Sequence, residues 1–380
     1  MDNFNFYNPT RIVFGKNTIA NIGRELKNSC ISKVLLMTGK GSIKSNGVYD
    51  AVMSSLKAHG ISAVEYWGVR PNPLLSGVNE AAALARKEDV QAVLAVGGGS
   101  VIDSAKAVTA AFYNENVWEF FEKQTAVTKA LPLFTILTIS ATGSEMNPGA
   151  VITHDEEKKK WAFHGPALFP KVSIIDPEVQ MSLPWRQTVA GAIDALSHIM
   201  EHYFLGHDEE TTIAIDEALM GSIIKATDAL QANEKDYAAR ANLAWAATLA
   251  LNGLSGTALK GGDWASHMLE HAISALHPHI AHGEGLAVIF PAWIKYTADA
   301  NPEQYERWAQ KIWGVAGIDA AIEKMKARYR QWKAPVSLGE LGLSADDIEA
   351  LADNAALAGS LGKVKKLGRD DFIAIYKLAL

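Results

Sequence analysis

The chain has 380 residues, 48% hydrophobic and 21% charged, which lies in the ordinary globular range and excludes a disordered or fibrous chain. That length is the prior for two domains with ample core, so no staple-dependent miniature scaffold is expected. A formal net charge of −6 argues against a phosphate-backbone footprint, and nucleic acid is not expected as a partner.

A single cysteine, Cys30, excludes an internal disulfide and any Cys-x-x-Cys metal site, which fits a reducing cytoplasm. Asn3, Asn5, Asn8 and Arg11 interrupt the apolar residues near the start, so no export signal is expected. Residues 241–259 form the longest uncharged stretch but include Asn242, Asn252, Gly253, Ser255 and Gly256. An Ala-rich buried helix accounts for them better than a membrane span.

In chain order, residues 4–14 alternate Phe4 and Phe6 with polar neighbours and read as an edge strand. Apolar runs at 34–37, 63–67, 92–96, 134–137 and 172–175 then alternate with helix-like segments. The spacing is that of βαβ units, and the runs are apolar enough for a sheet covered on both faces. The charge run 155–160 reads as a solvated turn between two extended runs. Beyond Pro184 the strand-like runs vanish and long Ala/Leu/Ile segments at helical spacing take over, punctuated by Gly253, Gly256, Pro278, Pro291 and Pro335. The expected architecture is a doubly wound, Rossmann-like parallel α/β domain over residues 1–184 and an all-α domain over 185–380.

Gly97, Gly98 and Gly99 follow the third run and open a helix through Ser100 and Asp103. A helix start flanked by glycines lets backbone N–H groups approach an anion closely. Ser100 and Asp103 also stand at capping-box spacing, so they would start a helix without any ligand. Three consecutive glycines exceed what a cap needs, which favours a nucleotide phosphate. A second turn, Gly39 to Ser42, follows the first run with no acid at its end. Small Gly41 and Ser42 with nearby Lys44 suit a 2′-phosphate, although an ordinary tight turn gives the same pattern.

Five of the eleven histidines (His267, His271, His277, His279, His282) fall within sixteen residues. Upstream, Asp194 and His198 stand one helical turn apart and leave the same face. Together with two of the later histidines they make an N3O donor set suited to Zn or Fe. Residues 198–202 also spell His-x-x-Glu-His, the inverted zinc-peptidase pattern, with Glu201 as base. That reading leaves the glycine loops and the downstream histidines without a role.

The segments 9–15, 71–73, 97–103, 141–145, 194–198, 263–271 and 282–283 resemble, nearly end to end, the iron-containing (group III) alcohol dehydrogenases, in particular the NADPH-dependent aldehyde reductase and butanol dehydrogenase subgroup. The resemblance implies a dehydroquinate-synthase-like architecture and hydride transfer between NADP(H) and an aldehyde or primary alcohol. It also implies one Fe2+ or Zn2+ ion on Asp194, His198, His267 and His282. Gly97, Gly98, Gly99, Ser100 and Asp103 would hold the pyrophosphate, with Asn72 also at the cofactor and Thr138 and Thr142 on the nicotinamide side. Gly41 and Ser42 stand where NAD users of the family carry an aspartate, and with Lys44 and Lys160 they imply NADP(H). His271 is implicated in proton transfer or substrate positioning, and a homodimer using the N-terminal edge strand is expected. A dehydroquinate-synthase-type lyase or cyclase shares the architecture, but the Asp194 ligand and the subgroup motifs argue against it. A non-catalytic metal- or nucleotide-binding module would not need both sets of motifs.

Overall fold

Eight strands form in the chain: β1 (Arg11–Phe14), β2 (Lys33–Thr38), β3 (Ser62–Tyr66), β4 (Ala92–Gly97), β5 (Leu133–Leu137), β6 (Gly149–His154), β7 (Lys159–His164) and β8 (Val172–Ile175). Six make one sheet in the order β1-β8-β5-β4-β2-β3, every pair parallel. The computed structural model describes residues 1–380, which divide into two compact units. Asn8–Leu183 with Lys235–Ala244 form one, and Met1–Tyr7, Pro184–Glu234 and Trp245–Leu380 form the other.

The strands are apolar at nearly every position because both faces of the sheet are covered. Leu35, Met37, Val93 and Ala95 point into one core, closed by the helices Leu75–Lys87 and Gly99–Ala111. Val34, Leu36, Leu94 and Val96 point into the opposite core, closed by Ile22–Asn28 and Val48–Ala58. Successive side chains thus alternate between two buried layers instead of between core and water. All the β-turn-α connections bring strand C-terminal ends to the same edge of the sheet, where ligands of such folds are bound.

Two expectations are refined. The edge strand is confined to β1, paired only with β8, and residues 4–6 are not part of it. The charge run does form the turn of an antiparallel hairpin, β6–β7, but its last member, Lys160, lies in β7 and is buried.

In the helical unit, Trp185–Tyr203 packs against Glu210–Ala232 and His282–Thr297, and the last also packs against Ala265–Leu276. Pro291, read as punctuation, lies inside His282–Thr297 and is buried with its apolar neighbours. Its missing N–H removes one hydrogen bond of the ladder, yet tertiary packing carries the helix through. Residues 241–259 divide into the end of the helix Tyr237–Ala250 and a run of turns, and no helix is long and apolar enough to cross a membrane.

Candidate active site

Trp185–Tyr203 is buried along most of its length, and one turn separates Asp194 from His198 on its inner face. His267 comes from the second residue pair of Ala265–Leu276, and His282 is the first residue of His282–Thr297. Gly283 allows this meeting: a Cβ there would lie 2.6 Å from the Ala190 carbonyl carbon, so only glycine lets the start of that helix rest on the backbone of Trp185–Tyr203.

Three imidazole nitrogens surround one carboxylate oxygen. Asp194 Oδ1 lies 3.5 Å from His198 Nε2, 3.6 Å from His282 Nε2 and 3.9 Å from His267 Nε2. Donors of a tetrahedral ion with bonds of about 2.1 Å stand roughly 3.4 Å apart. The observed distances are therefore too long for good hydrogen bonds, and the ligand atoms of Asp194, His267 and His282 lie within 4.8 Å of one another, with His198 approaching on the Asp194 side. Asp194 Oδ1 and His267 Nε2 are both buried without a hydrogen-bond partner, which is costly unless a cation satisfies them. The donor set fits a divalent ion.

Electrostatics follow from the same packing. Burial would drive the Asp194 carboxyl up, but His198, His267 and His282 outweigh it and hold it down at about 2. Burial lowers His198 to about 4 against the pull of Asp194. For His267 the burial penalty is overcome by Asp194 and Glu201, and it rises to about 9.

Behind the imidazoles stand two fully buried carboxylates, Glu201 and Glu270. Glu201 Oε1 accepts from His267 Nδ1 at 2.6 Å and from the His267 backbone at 3.2 Å, while its Oε2 accepts from Trp264 N at 2.6 Å. Glu270 accepts from His282 Nδ1 and from the Ser274 hydroxyl. His271, one turn after His267, is buried with its ring 5.4 Å from that of His282. His277 and His279 stay outside the group: His277 Nε2 faces Asp347 Oδ1 at 3.8 Å and the two rings adjoin each other. His202 is buried edge-on to Trp264 at 5.5 Å and lowered to about 3 by burial and by His198 and His267. Glu201 is thus committed to three donors, which leaves the inverted-peptidase reading without a free base.

In the α/β unit, Gly97 ends β4 and Gly98 is the N-cap of Gly99–Ala111. No side chain caps that helix, so the capping box that Ser100 and Asp103 could have formed as the alternative to a phosphate site is not made. Asp103 instead accepts from the Ser144 hydroxyl at 2.6 Å and from Val151 N at 3.0 Å. The glycines are required by close packing: a Cβ at Gly99 would sit 2.5 Å from Thr142 Oγ1, and one at Gly98 3.2 Å from Ile139. Thr138 N donates to Gly97 O at 3.0 Å, which fixes the segment carrying Thr138 and Thr142 beside the loop.

Gly41 takes φ 121°, a conformation that favours glycine, and starts the short helix Ser42–Ser45. Lys44 Nζ lies over the Trp67 ring at 4.1 Å and the Tyr49 ring at 5.3 Å. Asn72 is buried at φ 52°.

Several residues here were not singled out by sequence reasoning. Glu65 accepts from both Tyr49 OH and Trp67 Nε1 at 2.7 Å, so an acid does lie near this turn, on the neighbouring strand β3. Lys106, fully buried in the glycine-loop helix, donates to Asn147 O, Asn147 Oδ1 and Gly149 O at 2.7–3.0 Å. A lone lysine in an apolar helix was the only sequence signal for it. Glu270 gave a weaker one, an acid directly before His271.

Two family patterns match the chain. "Iron-containing alcohol dehydrogenase" covers residues 9–177, and the C-terminal pattern of the Fe-containing alcohol dehydrogenase family covers 188–380. The chain is 39% identical, over the whole of both chains, to a probable NADH-dependent butanol dehydrogenase 2 of Bacillus subtilis. It is 36% identical to an NADPH-dependent aldehyde reductase of Escherichia coli, covering 92% of each. Among solved structures, the NADH-dependent butanol dehydrogenase A of Thermotoga maritima superposes with a TM-score of 0.97 at 52% identity, covering 100% of this chain and 99% of that one.

Proposed function

The chain belongs to the iron-containing alcohol dehydrogenase family and is an oxidoreductase of alcohols and aldehydes, and from that premise we propose that it is a metal-dependent reductase that uses NADP(H). The carrying observation is the ring of three imidazole nitrogens around Asp194 Oδ1, with two of the four donor atoms buried and lacking partners. On this reading Asp194, His198, His267 and His282 hold one Fe2+ or Zn2+. The bound ion would supply a Lewis acid to the carbonyl oxygen, and the reduced nicotinamide a hydride to its carbon.

The chain's own residues do the rest. Gly97 to Ser100 present an uncapped helix start to the cofactor pyrophosphate. Asp103 secures the adjoining segment through Ser144 and Val151. Thr138 and Thr142 line the nicotinamide side, and Asn72 and Lys160 complete the cofactor contacts. Gly41, Ser42 and Lys44 support a 2′-phosphate, since no side chain projects from Gly41 and the Lys44 ammonium is held over Trp67. Relatives named for NADH and for NADPH both exist, so the cofactor preference is this chain's own question. His271 carries the proton to the alkoxide oxygen. A homodimer in the cytoplasm is proposed with it.

The test is a matrix of NADH or NADPH against Fe2+ or Zn2+ restored to stripped protein, with one short aldehyde, read at the nicotinamide absorbance band. Turnover that requires restored metal and favours NADPH supports the proposal. Equal turnover without metal removes the four-donor assignment, and preference for NADH removes the role given to Gly41, Ser42 and Lys44.

A further inference from the structure

Two of the three imidazoles around Asp194 have a buried carboxylate at their backs, and the third does not. His267 Nδ1 meets Glu201 and His282 Nδ1 meets Glu270, whereas His198 Nδ1 is buried with no hydrogen-bond partner. A carboxylate only accepts, so each of these Nδ1 atoms must carry a proton, and in the neutral ring that binds a cation the Nε2 lone pair is the one left for Asp194's side.

Each carboxylate is itself fixed. Glu201 is held by the backbone N–H groups of Trp264 and His267, at the first turn of the helix that carries His267. Glu270 is held by the Ser274 hydroxyl one turn on. Gly285 also bears on it: a Cβ there would lie 2.6 Å from Glu270 Cγ, so glycine leaves the space through which Glu270 reaches His282.

We propose that Glu201 and Glu270 are positioning residues that lock His267 and His282 in the Nε2-donating tautomer and strengthen them as donors, so that cation affinity depends on two carboxylates outside the donor set. The proposal rests on the four-donor reading given above. It assigns Glu201 of the His-x-x-Glu-His stretch an anchoring role. It also ranks the imidazoles, with His198 as the one whose ring is fixed by packing alone.

The experiment titrates Co2+ into metal-free full-length protein against a chromophoric chelator, and records the visible Co2+ bands and the urea midpoint of the metal-free form. Asp194→Ala serves as reference for the site itself. Glu201→Gln and Glu270→Gln are each expected to weaken Co2+ binding by about 10- to 100-fold and to shift the visible bands, with any fall in the metal-free urea midpoint too small to account for the weaker binding. Ser274→Ala, which removes the hydroxyl donated to Glu270, is expected to weaken binding several-fold. Unchanged affinity and bands in both Gln variants would overturn the proposal, as would an affinity loss that merely tracks a loss of metal-free stability. Should the Gln variants fail to fold, Ser274→Ala decides, and unaltered affinity there overturns it. The four-donor reading fails separately, by Co2+ binding that is absent from the unsubstituted protein or undiminished in Asp194→Ala.

Discussion

Asp194 and His271 stand one ring apart in the histidine cluster, yet the proposed chemistry asks different things of them. Asp194 Oδ1 lies within 3.9 Å of three imidazole nitrogens. Asp194→Ala deletes the one negative donor and leaves the imidazoles facing a void, so both bound metal and turnover are expected to disappear. His271 adjoins His282 but is not one of the residues ranged around Asp194 Oδ1. His271→Ala is therefore expected to keep stoichiometric metal while kcat falls by about 10²- to 10⁴-fold, the usual worth of a positioned acid or base. Metal analysis and steady-state rates on the two purified variants read the difference. Metal loss in His271→Ala would recast it as a ligand.

The helix Gly99–Ala111 shows what a buried charge does to an element. Burial pulls Lys106 down to about 8 from its usual 10.5, against the opposing pull of Asp103 and Glu145. Between those two pH values the unfolded chain binds a proton that the folded chain has released, so stability rises with pH across the window. Below about 8 the lysine is charged in both states and that contribution is absent. The expected outcome is that the urea midpoint of the natural protein climbs relative to Lys106→Met from pH 8 to 10. The hydrogen bonds lost in Lys106→Met displace the two curves, and the neutral amine, with two N–H groups, keeps at most two of the three. Parallel midpoints would show that Lys106 does not titrate there.

That helix also shows how much the sequence revealed. Its start after Gly97 and Gly98 was legible, because an apolar run broken by glycines has few structural solutions, and the same holds for β2, β3, β4, β5 and β8. The tether of Asp103 to Ser144 and Val151 was not legible, since its partners lie more than forty residues away. The same blindness hid Glu270, and it showed Glu201 only as the base of a peptidase pattern: an acid on a helix reads alike whether it faces water or the back of an imidazole. The short length of β1 was missed for another reason, since Phe4 and Phe6 alternate like a strand but lack a partner strand to pair with.

For the whole molecule, a cation held as proposed by three separate helices would link ligation to stability. Chelation should lower the urea midpoint of the metal-loaded protein, by an amount equivalent to about 3 kcal/mol if the free ion stands at a hundred times its dissociation constant. The proposed homodimer would assemble elsewhere, at β1, which has β8 on one side and ends the sheet on the other. Arg11 N donates to Lys171 O and Gly15 N to Ile175 O, so the alternation of a parallel ladder turns the N–H of Ile12 away from β8. An edge that offers such groups is a ready template for pairing with a second copy. Proline at position 12 removes the outward donor and leaves the bonds of Arg11 and Gly15 to β8 in place. Sedimentation velocity is expected to find the natural protein dimeric and Ile12→Pro monomeric, with matching far-ultraviolet circular dichroism. A dimeric Ile12→Pro would move the interface away from this edge, whereas a monomeric natural protein would end the homodimer proposal itself.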